Sequence, residues 1–191
     1  METMRDLAGI LGGRLATTQG QLLAAAESCS DDDLTWQPGP TSPPIGFHLW
    51  HCGRWADRWA QAIATSLPRL AVAAGAGGQR WEREDLAARW GFPASLGEGE
   101  TGMELPDDEA ASLPFPGSHA LADYLRDAFG DLEAVVAQIE DAELTEGGDD
   151  LVGGRAPLGD SLVRHHSHVS RHLGMIEALR GLRGGHGTAT V

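Results

Sequence analysis

Near its C-terminus the chain reads RHHSHVSRHLGMIEALRG, with four histidines in the eight residues 165–172. His165, His168, His172, Ile176 and Leu179 recur at steps of three and four, which on an α-helix makes one stripe. The imidazoles therefore share the face that Ile176 and Leu179 bury. Ring nitrogens on a core-facing stripe need partners, and a metal ion satisfies several of them at once. His168 and His172 are four apart, so their Cβ atoms lie about 5–6 Å from each other, close enough to grip one ion. The same spacing serves zinc in H-E-x-x-H enzymes. His165 stands roughly 10 Å from His172 along the helix axis and is the weaker ligand candidate. Two histidines rarely complete a site, and GFHLWHCGRWADRW adds His48 and His51 as further donors. Spacing alone does not choose between those two. The plainer reading is of core or surface histidines satisfied by hydrogen bonds.

Other residues carry weaker signals. Arg54 and Arg58 lie three and seven positions past His51 and are candidates to hold an acidic group of a ligand, although solvated helix charge is the commoner use of such residues. Trp55, one turn beyond His51, is a candidate pocket wall, with core packing as the ordinary alternative. Asp57, Asp160 and Glu177 are candidates for a general base or for a partner behind a ligand, and the sequence does not rank them. GEGETG, residues 97–102, matches G-x-G-x-x-G in form, but no strand precedes it and its glutamates repel a pyrophosphate, so it reads as loop. Cys29 and Cys52 make no disulfide framework and read as small buried residues. There is no G-x-S-x-G elbow.

Four helical patterns must position these residues, and no alternating strand is evident. The first runs from about Met4 to Ser28 with Leu7, Leu11, Leu15 and Leu22 on one face. The second follows Pro44, carries Leu49, Cys52, Ala56, Trp59 and Ile63, and is closed by Pro68. The third begins near Ser118, a candidate N-cap, with Leu121, Leu125, Leu132, Val136 and Ile139 inward; the fourth spans about Asp160 to Leu182 and stops at Gly184 and Gly185. Between the second and third, residues 68–117 form a crossover rich in Gly, Pro and acid, with QRWEREDLAARW as a short helix within it. The economical architecture is all-α: a four-helix bundle with a long crossover between helices 2 and 3, in a single domain spanning 1–191.

Composition narrows the function. Acids number 28 against 14 arginines and no lysine, for a net charge of −14. Nucleic acid and anionic membrane surfaces are therefore poor partners, since both require clustered cations. The absence of lysine excludes Schiff-base chemistry, a P-loop lysine and a Ser-Lys pair. No run approaches the ~18 apolar residues of a membrane span and the N-terminus carries no basic leader, which predicts a cytoplasmic protein.

DLTWQPGP, PPIGFHLWHCGRWADRW and HVSRHLGMIEALRG together resemble the DinB/YfiT-like family, whose name refers to induction by DNA damage and whose members are regarded as metal-dependent enzymes. The resemblance covers both ends of the chain and leaves out the acidic middle. It implies an up-down-down-up four-helix bundle and a divalent metal held by three histidines. The family's G-x-x-L-W-H segment ends here on His51, and its H-x-x-x-H-x-G segment falls on His168 and His172, with Gly174 also in place. His48, His119, His165, His166 and His186 inherit no role. Three neutral imidazoles leave a divalent ion with positive charge and an open position, as in catalytic zinc sites. Zinc and nickel are the foremost metals, and iron and copper also suit such a site. Some relatives resemble thiol-dependent S-transferases, which implies a small-molecule electrophile as substrate and a low-molecular-weight thiol as a second cofactor. The alternatives are a metal-dependent hydrolase and a non-catalytic metal-binding stress protein, and the open site is also compatible with a homodimer.

Overall fold

The computed structural model describes residues 6–75, 77–97, 99–149 and 154–186; Met4 and Glu98, which figured in the expected first helix and in the GEGETG loop, lie outside them. The described chain is mostly helical, as its patterning predicts, with one small sheet. Helix α1 (Leu7–Glu27) starts where Asp6 accepts from the Gly9 N–H and Asp141 accepts from those of Leu7 and Ala8, which satisfies the unpaired first-turn donors. A short α2 (Asp31–Thr35) opens with a Ser30/Asp33 capping box. Helix α3 (Ile45–Ser66) follows Pro44, and Pro68 starts a 3-10 turn just beyond it. Of the stripe expected in α1, Leu15 and Leu22 are buried and Leu11 partly so, whereas Leu7 at the helix start is 62% exposed.

The crossover contains α4 (Arg80–Arg83) and α5 (Leu86–Trp90) in place of one short helix, because Asp85 between them turns left-handed with φ of 51°. Then come α6 (Asp107–Ala111) and α7 (Ser118–Val136). Ser118 is not the cap of α7: Gly117 holds that position, and the Ser118 N–H is taken by Asp31 at 2.6 Å. Two strands absent from the sequence reading, β1 (Gly147–Asp149) and β2 (Arg155–Pro157), pair antiparallel ahead of α8 (Leu158–Leu182). Each has three residues, too few for an alternating pattern to register.

The four long helices pack in a ring, α1 against α7 and α8, and α3 against the same two. Glycines let α3 approach closely. A Cβ at Gly53 would lie 2.8 Å from the Tyr124 ring and one at Gly46 2.9 Å from that of Phe115. Helix α3 is buried on nearly every side, because the crossover covers the face that α7 and α8 leave open. Trp50 of α3 meets Trp81 and Phe92 there, with ring centroids 5.8 and 5.1 Å away.

Polar bonds lock that cover in place. Asp57, 2% exposed, accepts from the Arg80 and Trp81 backbone N–H groups at 2.8 Å each and from Arg54 Nη1 at 3.2 Å. Arg54, 1% exposed, also donates to Gln79 Oε1 and from Nε to the Glu100 carbonyl, while its guanidinium lies over the Trp81 ring. Burial pushes the Asp57 carboxyl up, and the two N–H groups and Arg54 pull it back. Removing one partner of such a pair strands a buried charge. Asp57→Ala is therefore expected to lower stability by about 3–5 kcal/mol in urea denaturation, with Arg54→Met/Asp57→Leu recovering only part of the loss, because the Arg80 and Trp81 N–H groups stay unpaired. A single variant within 1 kcal/mol of the parent would count against this clamp.

Candidate metal centre

Helices α3 and α8 face each other in reverse order, so that His48 meets His172, His51 meets His168, and Trp59 meets His165. This brings one nitrogen each of His51, His168 and His172 within 4.8 Å of one another, a group that could hold a metal ion. His168 Nε2 lies 3.0 Å from His51 Nε2 and 3.0 Å from His172 Nε2. Two nitrogens sharing an ion at about 2.0–2.1 Å stand roughly 2.9–3.4 Å apart. The separations fit.

Ring protons fit as well. His51 Nδ1 lies 2.5 Å from the Thr101 carbonyl, which can only accept, so the proton is on Nδ1 and Nε2 is bare. His48 Nδ1 and His172 Nδ1 stand 3.0 Å apart with one proton between them, and in the tautomer in which His172 carries it, His172 too has a bare Nε2. In that tautomer two bare lone pairs point at His168, which has one proton to share between them. A cation is the partner that suits all three.

Burial keeps the rings neutral. It lowers His51 to about 3, aided by His168 and His48, and lowers His168 to about 4 with help from Arg171. It lowers His172 to about 2, with His51, His168 and His48 adding to the effect. No carboxylate or thiolate joins the group among the described residues. A divalent ion bound here would keep its full charge.

A cavity of about 310 Å³ lies beside the cluster, walled by His51, His168, Trp55, Trp59 and Met103, with His165, Arg164 and Arg171 completing it. A smaller cleft between Ile63 and Glu143 does not reach the histidine cluster. Trp55 is both core and pocket wall, 4% exposed and edge-on to His51 and His168.

Several candidates stand elsewhere. Arg54 and Asp57 belong to the buried clamp, not to the site mouth. Asp160 is exposed, Glu177 is half-buried, and neither lines the cavity. Arg58 lies over the Trp55 ring and against Gly99. His165 has its ring centroid 6.4 Å from that of His168 and is outside the three-histidine group. His166 bonds Thr18, and His119 and His186 are exposed. The sequence reading offered His48 only as an alternative donor to His51, and it gave Thr101 no role. Thr101 acts through its carbonyl, which any residue type offers, and only the repeated glycines of GEGETG hinted that its backbone is unusual: Gly97, Gly99, Glu100 and Gly102 all have positive φ.

A family model described as the DinB superfamily matches residues 14–176, most of the chain and both helices that carry the histidines. The chain belongs to the DinB superfamily. Two solved structures share its fold. A conserved protein from Enterococcus faecalis is 14% identical with a TM-score of 0.71, the match covering 93% of this chain and 97% of that one. A DinB-like protein from Bacillus cereus is 16% identical with a TM-score of 0.53, covering 94% and 96%. No curated protein matches the sequence.

In this DinB protein His51→Ala and His168→Ala are each expected to lose bound divalent metal, whereas His165→Ala retains it; elemental analysis of the purified variants decides. The metal-free protein also has a pH signature. The histidines titrate near 6.5 when unfolded and near 2–4 when folded, so below 6.5 the unfolded chain binds more protons. Its stability should fall as pH drops from about 6.5 toward 4, at about 1.4 kcal/mol per pH unit for each such ring, read from urea midpoints across that range.

Proposed function

We propose that the protein is a metal-dependent S-transferase that joins a low-molecular-weight thiol to a small electrophile, on an up-down-down-up bundle of α1, α3, α7 and α8. The supporting observation is the set of three neutral imidazoles beside a largely apolar cavity. For the topology, the support lies in which residues meet. Gly12 and Glu27 of α1 meet Val136 and Arg126 of α7 in reverse order, and α8 reverses against α3 in the same way. Gly46 and Gly53 of α3, by contrast, meet Phe115 and Tyr124 in forward order.

A divalent ion held by His51, His168 and His172, zinc or nickel foremost, would supply the positive charge that favours a thiol's thiolate form at neutral pH. The chain's own residues do the rest. Thr101 holds the tautomer of His51, and His48 backs the His172 ring. Trp55, Trp59 and Met103 keep bulk water from the reacting sulfur, which forms the new carbon–sulfur bond while the thiol proton passes to solvent and the electrophile takes up the displaced electron pair. No cysteine of the chain competes as nucleophile, because Cys29 and Cys52 are buried and burial raises both thiols. A cytoplasmic setting, where small thiols are abundant and reduced, accords with this reading, as does the fact that no described helix is long and apolar enough to cross a membrane.

Cobalt-substituted protein titrated with small thiols should develop sulfur-to-metal charge-transfer absorption, absent in His168→Ala, and thiol consumption by a generic electrophile should require the metal. An unchanged spectrum together with metal-dependent cleavage of an ester or amide would make the protein a hydrolase. Neither response would make it a non-catalytic metal-binding protein.

A further inference from the structure

The cavity beside the histidine cluster differs in charge from the rest of the molecule. The chain carries a net charge of −14, yet none of the residues lining this cavity is acidic and the two charged ones are Arg164 and Arg171. Arg171 is exposed at the rim and forms no salt bridge among the described residues. With a divalent ion in place, the region would be a positive island on an acidic protein. That selects an anion.

The interior adds a second requirement. His165 is 3% exposed and Trp55 4%, and among the described residues neither His165 Nε2 nor Trp55 Nε1 has a hydrogen-bond partner or more than a trace of accessible surface, so a small turn of each ring is what brings its nitrogen to a ligand. Both side chains line the cavity. Leaving such groups unpaired is costly, so a ligand that engages them gains more than an ordinary surface hydrogen bond supplies. The remaining wall, formed by Trp55, Trp59 and Met103, offers apolar area to a flat ligand body.

We infer that the cavity binds a small organic carboxylate with a flat apolar body, its anionic group at Arg171 and a polar group at its inner end on Trp55 Nε1 and His165 Nε2. The inference rests on the reading that the ion faces a substrate cavity, and it names the chemical class that cavity takes. His165 is here a positioning residue for the ligand. It is not a metal ligand.

The test uses the metal-loaded protein and three probes by calorimetry: 4-hydroxyphenylacetate, phenylacetate without the inner hydroxyl, and 4-hydroxyphenylethanol without the charge. Affinity should fall about 10-fold on losing the carboxylate and about 5-fold on losing the hydroxyl. Arg171→Met should erase the first difference and leave the second. His165→Phe should erase the second and leave the first, and Trp55→Phe gives the same readout if His165→Phe does not fold. A carboxylate preference that survives Arg171→Met and disappears on chelation would place the anion on the ion and overturn the inference, as would equal binding of all three probes. A thiolate band without carboxylate discrimination defeats this inference alone. Discrimination that follows Arg171 without any thiolate band defeats the transferase reading alone.

Discussion

Arg54 is a charged side chain at 1% exposure, and its bonds are what bring a fifty-residue excursion back onto the helices. A guanidinium taken out of water needs a partner at each of its nitrogens or the fold loses several kcal/mol. Here Asp57, Gln79 and the Glu100 carbonyl supply the match. Since Gln79 and Glu100 lie at two separate places in the crossover, satisfying one buried charge fixes the segment at both. Thr101 follows directly on Glu100, so the bond that completes the arginine's shell also sets the carbonyl that holds His51.

That carbonyl has a further effect. A ligating imidazole must present a bare nitrogen, and which nitrogen is bare depends on what its other side faces. Thr101 decides this for His51, and the His48 ring is what His172 Nδ1 faces. The loop at 99–102 can pass so close because it is built on left-handed backbone. A Cβ at Gly102 would fall 2.7 Å from the Trp50 ring, and one at Gly99 would collide with Arg58. Backbone freedom in the loop, burial of an ion pair and orientation of a ligand are thus one connected arrangement.

Charge is distributed with similar economy. The excess of acid lies on the exposed faces, while burial keeps the imidazoles neutral and the cavity wall carries only arginines as charged groups. A neutral three-nitrogen cluster in such a setting leaves the positive charge of a bound ion undiminished, and the apolar walls around it keep the local dielectric low. With an ion bound, electrostatic selection of a ligand would be made within the cavity, against the field of the molecule as a whole.

Much of the helical framework was legible in the residues themselves. The stripe Leu49, Cys52, Ala56, Trp59 and Ile63, the proline entry before α3, and the four-residue spacing of His168 and His172 are local properties, because the helical repeat dictates which residues share a face. The pairing of those two histidines with His51 came from a resemblance to known sequences, since spacing within one helix says nothing about a second. Arg54 and Asp57 were misread for the same reason. On one helix Arg54 resembles solvated charge or a ligand's partner and Asp57 a candidate base, and only the crossover folding over them makes them a buried pair. The sequence by itself determined the helices, the faces they bury and the chemical types available on each face. Tertiary structure alone decided that the Thr101 carbonyl meets His51, that His48 faces His172, and that His165 and Trp55 share one cavity wall, because each of these contacts joins segments distant in the chain and depends on the position of backbone, which no residue type announces.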